Sequence, residues 1–236
     1  MIDIRSLGSS SAGNCYQITD GATPLLIECG MPIRRIQAGT GYSLSGVAGC
    51  LISHEHGDHC RAVRDLMRLG VTCYMSQGTA SALKLEPQHR LQILVDRQPV
   101  RVGSWLLLPF QTIHDAAEPL GFVLDTRFGE RLLFLTDSAY SPFRFEGLTH
   151  IMLEINYSDE ELDEAVASGR THPAMAERIR ETHLGLATAI ELLSANDLSH
   201  VKGIWPLHLS DGHANESKIK QAVQQATGCP VRVCPR

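Results

Sequence analysis

The chain has 236 residues, 43% of them hydrophobic and 20% charged, with a formal net charge of −5. That length suits a single domain over 1–236 with one sizeable mixed α/β core, and the composition excludes collagen-like and disordered chains. No apolar run approaches the roughly 18 residues of a membrane span, and a mildly acidic chain lacks the global charge footprint of a nucleic-acid binder.

Met1-Ile2-Asp3-Ile4-Arg5 has neither the basic start nor the apolar stretch of a signal peptide, so a cytoplasmic location is expected. Short β-type runs follow at Ile2 to Leu7, Cys15 to Thr19, Pro24 to Cys29 and Val47 to Ser53. Turn residues part them: Gly8 to Gly13, Asp20-Gly21 and Gly39 to Gly41. The Gly8 to Gly13 loop reads equally as a phosphate cradle and as a tight turn. A helical period runs from Cys60 to Leu69, with Val63, Leu66, Met67 and Leu69 on its apolar side. Val71 to Met75 reads as a strand and Gly78 to Leu85 as a helix.

The pattern then repeats in kind. Strands are expected at Val100 to Val102, Trp105 to Leu108, Gln111 to Ile113, Phe122 to Asp125, Arg131 to Thr136 and His150 to Ile155. Helices are expected at Asp159 to Ala167, Pro173 to Thr182, Leu186 to Ser194 and Glu216 to Ala226, with strands at Val201 to Leu207 and Val231 to Cys234. Strand-rich blocks interleaved with helices predict an α/β (α+β) arrangement of sheets covered by helices. The seven cysteines include no CxxC pair and sit mostly in apolar runs, as buried reduced thiols do.

Chemistry gathers at strand ends. The apolar run Val47 to Ile52 leads straight into Ser53-His54-Glu55-His56-Gly57-Asp58-His59. His114 follows Gln111-Thr112-Ile113, Asp137 follows Leu132 to Thr136, and His208 follows Ile204 to Leu207. The carboxyl ends of buried strands are where α/β folds place ligands. His54 and His56 stand two apart, so an extended segment points both the same way. Imidazole and carboxylate suit zinc, manganese or iron. A catalytic zinc takes three protein ligands and keeps a position for water. His54, His56 and His114 make one such set and Asp58, His59 and His208 a second, with Asp137 free to bridge ions roughly 3.5–4 Å apart.

These seven residues resemble, in order and approximate spacing, the ligand motifs of the metallo-β-lactamase superfamily. The resemblance covers essentially the whole chain. It implies an αββα sandwich of two similar halves, two mixed β-sheets flanked by helices, with both metals at one edge. Ser6-Leu7-Gly8-Ser9-Ser10-Ser11-Ala12-Gly13-Asn14-Cys15 and His114-Asp115-Ala116-Ala117-Glu118-Pro119-Leu120-Gly121-Phe122 look like the YycJ-like branch. That branch is close to the phosphoribosyl cyclic phosphodiesterases and more distantly to tRNase Z. It implies phosphodiester hydrolysis, with DNA exonuclease activity in the YycJ-like branch and two zinc or manganese ions as cofactors; iron also suits the ligands. The sequence departs from the pattern at Glu28, where an aspartate is usual, and around Glu154-Ile155-Asn156-Tyr157-Ser158 and Thr182-His183-Leu184-Gly185-Leu186.

The expected nucleophile is a hydroxide bridging the two metals. Asp58, His183 and Glu154 are the expected catalytic side chains, His183 as general acid or phosphate contact and Glu154 orienting it. Ser210 and Asn215 resemble the family's substrate-side loop, and Asn156 joins them as a substrate contact. His213 reads as a solvated loop residue, and His89, His150, His172 and His200 as structural. The expected partner is a phosphodiester, with nucleic acid and a homodimer left open and no membrane. Arg34, Arg35, Arg61, Arg64 and Arg68 could line a local basic groove, although solvated faces are the plainer reading. Two other classes stay open: hydrolysis of a lactone, thioester or β-lactam at the same site, and a non-catalytic module that holds metal for a partner.

Overall fold

Alternating apolar and polar positions fold the first strands into a meander. The computed structural model describes residues 1–235. In it β1 (Asp3–Gly8) pairs antiparallel with β2 (Cys15–Thr19), which pairs antiparallel with β3 (Pro24–Ile27), in the registers Asp3↔Thr19 and Tyr16↔Ile27. Three parallel strands continue the sheet: β4 (Cys50–Leu51), β5 (Cys73–Ser76) and β6 (Leu91–Leu94). The order is β1-β2-β3-β4-β5-β6. Helices α1 (Ile33–Gly39), α2 (Gly57–Cys60), α3 (Val63–Arg68) and α4 (Gln77–Ala82) fill the connections.

The second sheet follows the same grammar. An antiparallel meander of β7 (Val100–Val102), β8 (Trp105–Gln111) and β9 (Leu120–Asp125) comes first. Parallel β10 (Arg131–Leu135), β11 (His150–Glu154) and β12 (Gly203–Leu207) come next, in the order β12-β11-β10-β9-β8-β7. Its helices are α5 (Asp159–Ala167), α6 (Pro173–Thr182), α7 (Leu186–Ser194) and α8 (Glu216–Thr227). Two mixed six-stranded sheets flanked by helices meet the expected fold class. By compactness the chain divides into two units: Met1–Gln111 with Ala116–Glu130, and Thr112–Asp115 with Arg131–Cys234.

In the first unit the core gathers Leu26, Ile36, Ile52, Leu66 and Met75 around the thiols of Cys29, Cys50 and Cys73. Trp105 is fully buried and donates its indole N–H to the Thr23 carbonyl at 2.9 Å. In the second unit β11 and β12 are buried at every position, which is why they read as unbroken apolar runs rather than alternating ones. All seven cysteines are buried, and none forms a disulfide. Among the described residues no helix is long and apolar enough to cross a membrane.

Caps explain the best-placed elements. The Ser158 hydroxyl accepts from the Glu161 N–H at the start of α5, where three acidic residues fill the first turn. Pro173 opens α6 with its φ already helical. Asn215 caps α8, and Gly228 at φ 70° ends it.

Several expected elements are shorter. β3 stops at Ile27 because Glu28 takes φ 63°, which breaks the ladder. The expected Val47 to Ser53 strand pairs only at Cys50–Leu51. The expected strands Trp105 to Leu108 and Gln111 to Ile113 are one strand that ends at Gln111. Leu69 is exposed rather than on the apolar side of its helix, and Val231 makes a single bridge to Ile204 instead of opening a strand. Two elements carry no sequence signal. Helix α1 buries only Ile36, and strand β6 exposes two adjacent residues, so neither shows the periodicity that marks its type.

Trp105→Ala is expected to remove about 3–5 kcal/mol of stability, the usual cost of emptying a large aromatic site. A lower urea midpoint at unchanged m-value checks this.

Candidate metal centre

In the first unit the chain leaves β4 and delivers His54, buried, then His56 at the N-cap of α2, and Asp58 and His59 on α2 itself. The His54 ring lies 4.6 Å from that of His56 and 4.2 Å from that of His59. Backbone pairing from earlier segments clamps this turn. The Asp58 carbonyl accepts from Asn14 N–H at 2.8 Å and the His59 carbonyl from Cys29 N–H at 2.8 Å. A Cβ on Gly30 would stand 1.6 Å from the Asp58 carbonyl oxygen, so only glycine permits this approach.

Side chains brace the same turn. Glu28 is fully buried; its Oε1 accepts the Ser53 N–H at 3.1 Å and its Oε2 faces His59 Nδ1 at 3.6 Å. Burial outweighs the neighbouring His59 and holds the Glu28 pKa above the usual carboxylate range. Asn14 Nδ2 reaches Asp58 Oδ2 at 3.4 Å and His59 Nε2 at 3.3 Å. Ser53 Oγ lies 2.9 Å from His54 Nδ1.

The second unit has its own rim. Asp137 follows β10, Glu154 ends β11, and His208 follows β12. Asp137, Glu154, His183 and His208 each bring a ligand atom within 4.8 Å of the others. His208 Nδ1 lies 2.9 Å from Asp137 Oδ1 and 3.1 Å from Glu154 Oε1. His183, at the C-cap of α6, holds Glu154 Oε1 at 2.7 Å through Nδ1. Burial acts to lower the His183 pKa, but the Glu154 carboxylate prevails and holds it above the usual value. His114 Nδ1 lies 2.9 Å from the Thr182 carbonyl.

A family model for the beta-lactamase superfamily domain matches residues 24–208. The chain belongs to the metallo-β-lactamase superfamily. Exodeoxyribonuclease YycJ of Bacillus anthracis is 25% identical to it over 150 residues, which are 60% of this chain and 56% of that protein. The chain therefore matches little more than half the length of this relative. The metallo-beta-lactamase fold protein YhfI of Bacillus subtilis superposes with a TM-score of 0.76 at 16% identity, covering 99% of this chain and 96% of that one. The short form of human tRNase Z gives 0.65 at 14% identity, over 100% and 96%. These two likenesses establish the metallo-β-lactamase fold.

The donors present fit the metal chemistry of this superfamily. A carbonyl accepts only a hydrogen bond, so His114 Nδ1 carries the proton at Thr182. Burial outweighs the carboxylates around His114 and holds its pKa below the usual value, so the ring is neutral. Its Nε2 then presents a lone pair 3.6 Å from Asp137 Oδ2 and 3.4 Å from Asp115 Oδ1. Acceptors that converge in this way call for a cation between them. His59 repeats the arrangement, with Nδ1 toward Glu28 and Nε2 3.2 Å from Asp58 Oδ2.

The expected substrate residues have structural work of their own. Asn156 donates through Nδ2 to the His208 carbonyl at 3.0 Å. The Ser210 hydroxyl meets His213 Nδ1 at 3.0 Å, and His213 Nε2 meets Thr171 Oγ1 at 2.8 Å, so His213 is tied into the second unit rather than solvated. Asn215 Oδ1 is engaged in capping α8. Asn14, Ser53 and the Thr182 carbonyl have positions here that the residues alone do not assign. Asn14 carries a signal, since it lies within the Ser6 to Cys15 motif; a backbone carbonyl such as that of Thr182 has none.

Glu28→Gln replaces the carboxyl group facing His59 with an amide. Metal affinity is expected to fall about 10–100-fold, the usual effect of removing a carboxylate behind a ligating imidazole. Titration against a competing chelator reads this directly.

Proposed function

We propose that the chain is a dinuclear phosphodiesterase acting on nucleic-acid ends or on a cyclic phosphate diester. In this reading His54, His56 and His114 hold one divalent ion and Asp58, His59 and His208 the other, with Asp137 shared. Metal held by these residues would supply Lewis acidity toward water and a phosphoryl oxygen. Zinc and manganese suit the donors, and so does iron.

The observation that carries the reading is the pair of His183 and Glu154. Phosphodiester cleavage releases an alkoxide that needs a proton. The His183 side chain is 21% exposed whereas that of Glu154 is 1% exposed, so the carboxylate is hidden behind an imidazole that stays accessible. With Nδ1 held by Glu154, Nε2 is the nitrogen that meets a substrate. The ring stands 5.5 Å from those of both His114 and His208, beside two of the assigned ligands. A buried carboxylate that fixes one nitrogen of a histidine and leaves the other open is the arrangement of a general acid. The similarity to an exodeoxyribonuclease supports the same substrate class. Asn156 acts beside this pair by holding the His208 backbone.

Metal-loaded protein tested on bis-p-nitrophenyl phosphate, a lactone, a cyclic ribose phosphate and linear duplex DNA separates the classes. Hydrolysis of at least one phosphodiester is expected, with loss on chelation and recovery on adding zinc or manganese. Hydrolysis of the lactone alone would overturn the reading in favour of a carbonyl hydrolase, and inertness at full metal occupancy would favour a metal-holding module. His183→Ala is expected to lower phosphodiester turnover by about 10²–10⁴ while metal content is unchanged. Wild-type turnover in that variant would remove His183 from the chemistry.

A further inference from the structure

The chain is acidic overall, yet its cations are unevenly placed. Between Cys60 and Arg90 stand Arg61, Arg64, Arg68, Lys84 and Arg90 against two carboxylates, Asp65 and Glu86. Helix α1 adds Arg34 and Arg35 and no acid. The same chain concentrates Asp159, Glu160, Glu161, Asp163 and Glu164 on α5 in the other unit. All of these cations but Arg90 are exposed, and Arg90 is half-buried.

Helix α3 stands between two grooves of the first unit. Arg61 and Asp65 line one of about 310 Å³, together with Arg34. Arg64 and Arg68 line the other, of about 480 Å³, together with His89 and Arg90. The arginines are partly preorganised. Arg64 donates to the carbonyls of Leu83 and Lys84 at 2.6 and 3.1 Å, and Arg90 to Thr72 Oγ1 at 3.4 Å. Those partners are neutral, so the positive charge remains. Arg68 pairs with Asp65 at 2.9 Å, but both are well exposed and the pair is screened. The belt is continuous in chain with the metal-binding turn, since Arg61 lies two residues after His59 on the turn that leads to α3.

We propose that the two grooves flanking α3 form a backbone-binding face for nucleic acid, on which Arg34, Arg61, Arg64, Arg68 and Arg90 contact successive phosphates. This rests on the phosphodiesterase reading for its purpose and names nucleic acid as the substrate class. Guanidinium groups suit phosphate by planar, bidentate geometry. Spread along a groove, they hold a strand whatever its bases, which is what a sequence-tolerant nuclease needs. A cyclic nucleotide has too few phosphates to engage such a belt.

The test uses the metal-loaded chain and a fluorescein-labelled phosphorothioate duplex that resists cleavage, read by anisotropy across a salt series. The comparison is the double variant Arg61→Glu with Arg68→Glu, one reversal on each side of α3. The variant is expected to bind the duplex at least tenfold more weakly at 0.1 M salt. The slope of log Kd against log salt should fall by about 2, close to 0.9 for each phosphate that is no longer neutralised. Thermal melting should match wild type, and so should any turnover of bis-p-nitrophenyl phosphate. Unchanged affinity and slope in a folded variant would overturn the proposal, as would arginine-dependent binding to phosphatidylserine vesicles with no binding to the duplex. If the variant melts early, Arg61→Gln with Arg68→Gln takes its place under the same criteria. Arginine-dependent duplex binding by a protein that cleaves no phosphodiester would support this face and refute the catalytic reading. Cleavage of small diesters without duplex binding would do the reverse.

Discussion

Charge balance among buried carboxylates governs the rim of the second unit. Asp137 and Glu154 are both buried, and both approach the same nitrogen of His208. Two like charges this close repel strongly in a medium poorer than water at screening. Burial and Asp137 push the Glu154 pKa up, yet His183 and His208 together offset them and hold it below the usual carboxylate range. The arrangement therefore holds only while positive charge is supplied nearby, by imidazole protons or by a cation. Histidines fill the positions around these acids because imidazole serves in either state, as a charged partner or as a neutral ligand.

The backbone contributes to the same end. Six described non-glycine residues have positive φ, and three of them are Glu28, Asp137 and His208. Each comes at or just beyond a strand end: β3, β10 and β12. A left-handed residue costs roughly 1–2 kcal/mol, and it stops the ladder while turning the side chain away from the strand's alternation. Neighbouring bonds hold the turns in place. Glu28 N–H reaches the Leu51 carbonyl at 2.8 Å, Ser138 N–H reaches Glu154 Oε2 at 3.1 Å, and the His208 carbonyl accepts from Asn156. Backbone strain thus gathers where the donors are presented.

This placement explains what could be read from the residues alone. The ligand turn was legible because His54, His56, Asp58 and His59 are local in sequence and follow an apolar run. Helices α5, α6 and α7 were legible to the residue because Ser158, Pro173 and the apolar period of Leu186 to Ser194 announce them. The strands end before Cys29 and Ile113, where composition would carry them, since a left-handed turn at Glu28 or an early exit at Gln111 leaves no compositional mark. The bracing of His59 by Glu28 spans 31 residues, and that of His114 by the Thr182 carbonyl spans 68. Such contacts depend on tertiary placement, which periodicity does not report.

The seven buried thiols bear on how the molecule can be watched rather than on what it does. Cys15, Cys29, Cys50, Cys60 and Cys73 belong to the first unit, and Cys229 and Cys234 to the second. Burial pushes the Cys60 thiol up to about 12 and raises those of Cys15, Cys29 and Cys50. Burial denies an alkylating reagent access to all seven in the folded molecule, and at Cys15, Cys29, Cys50 and Cys60 the thiolate is suppressed as well. Modification must wait for the polypeptide to open, so its rate is a clock for opening. Because the two sets of thiols lie in different units, peptide mapping of the label would show which one breathes first.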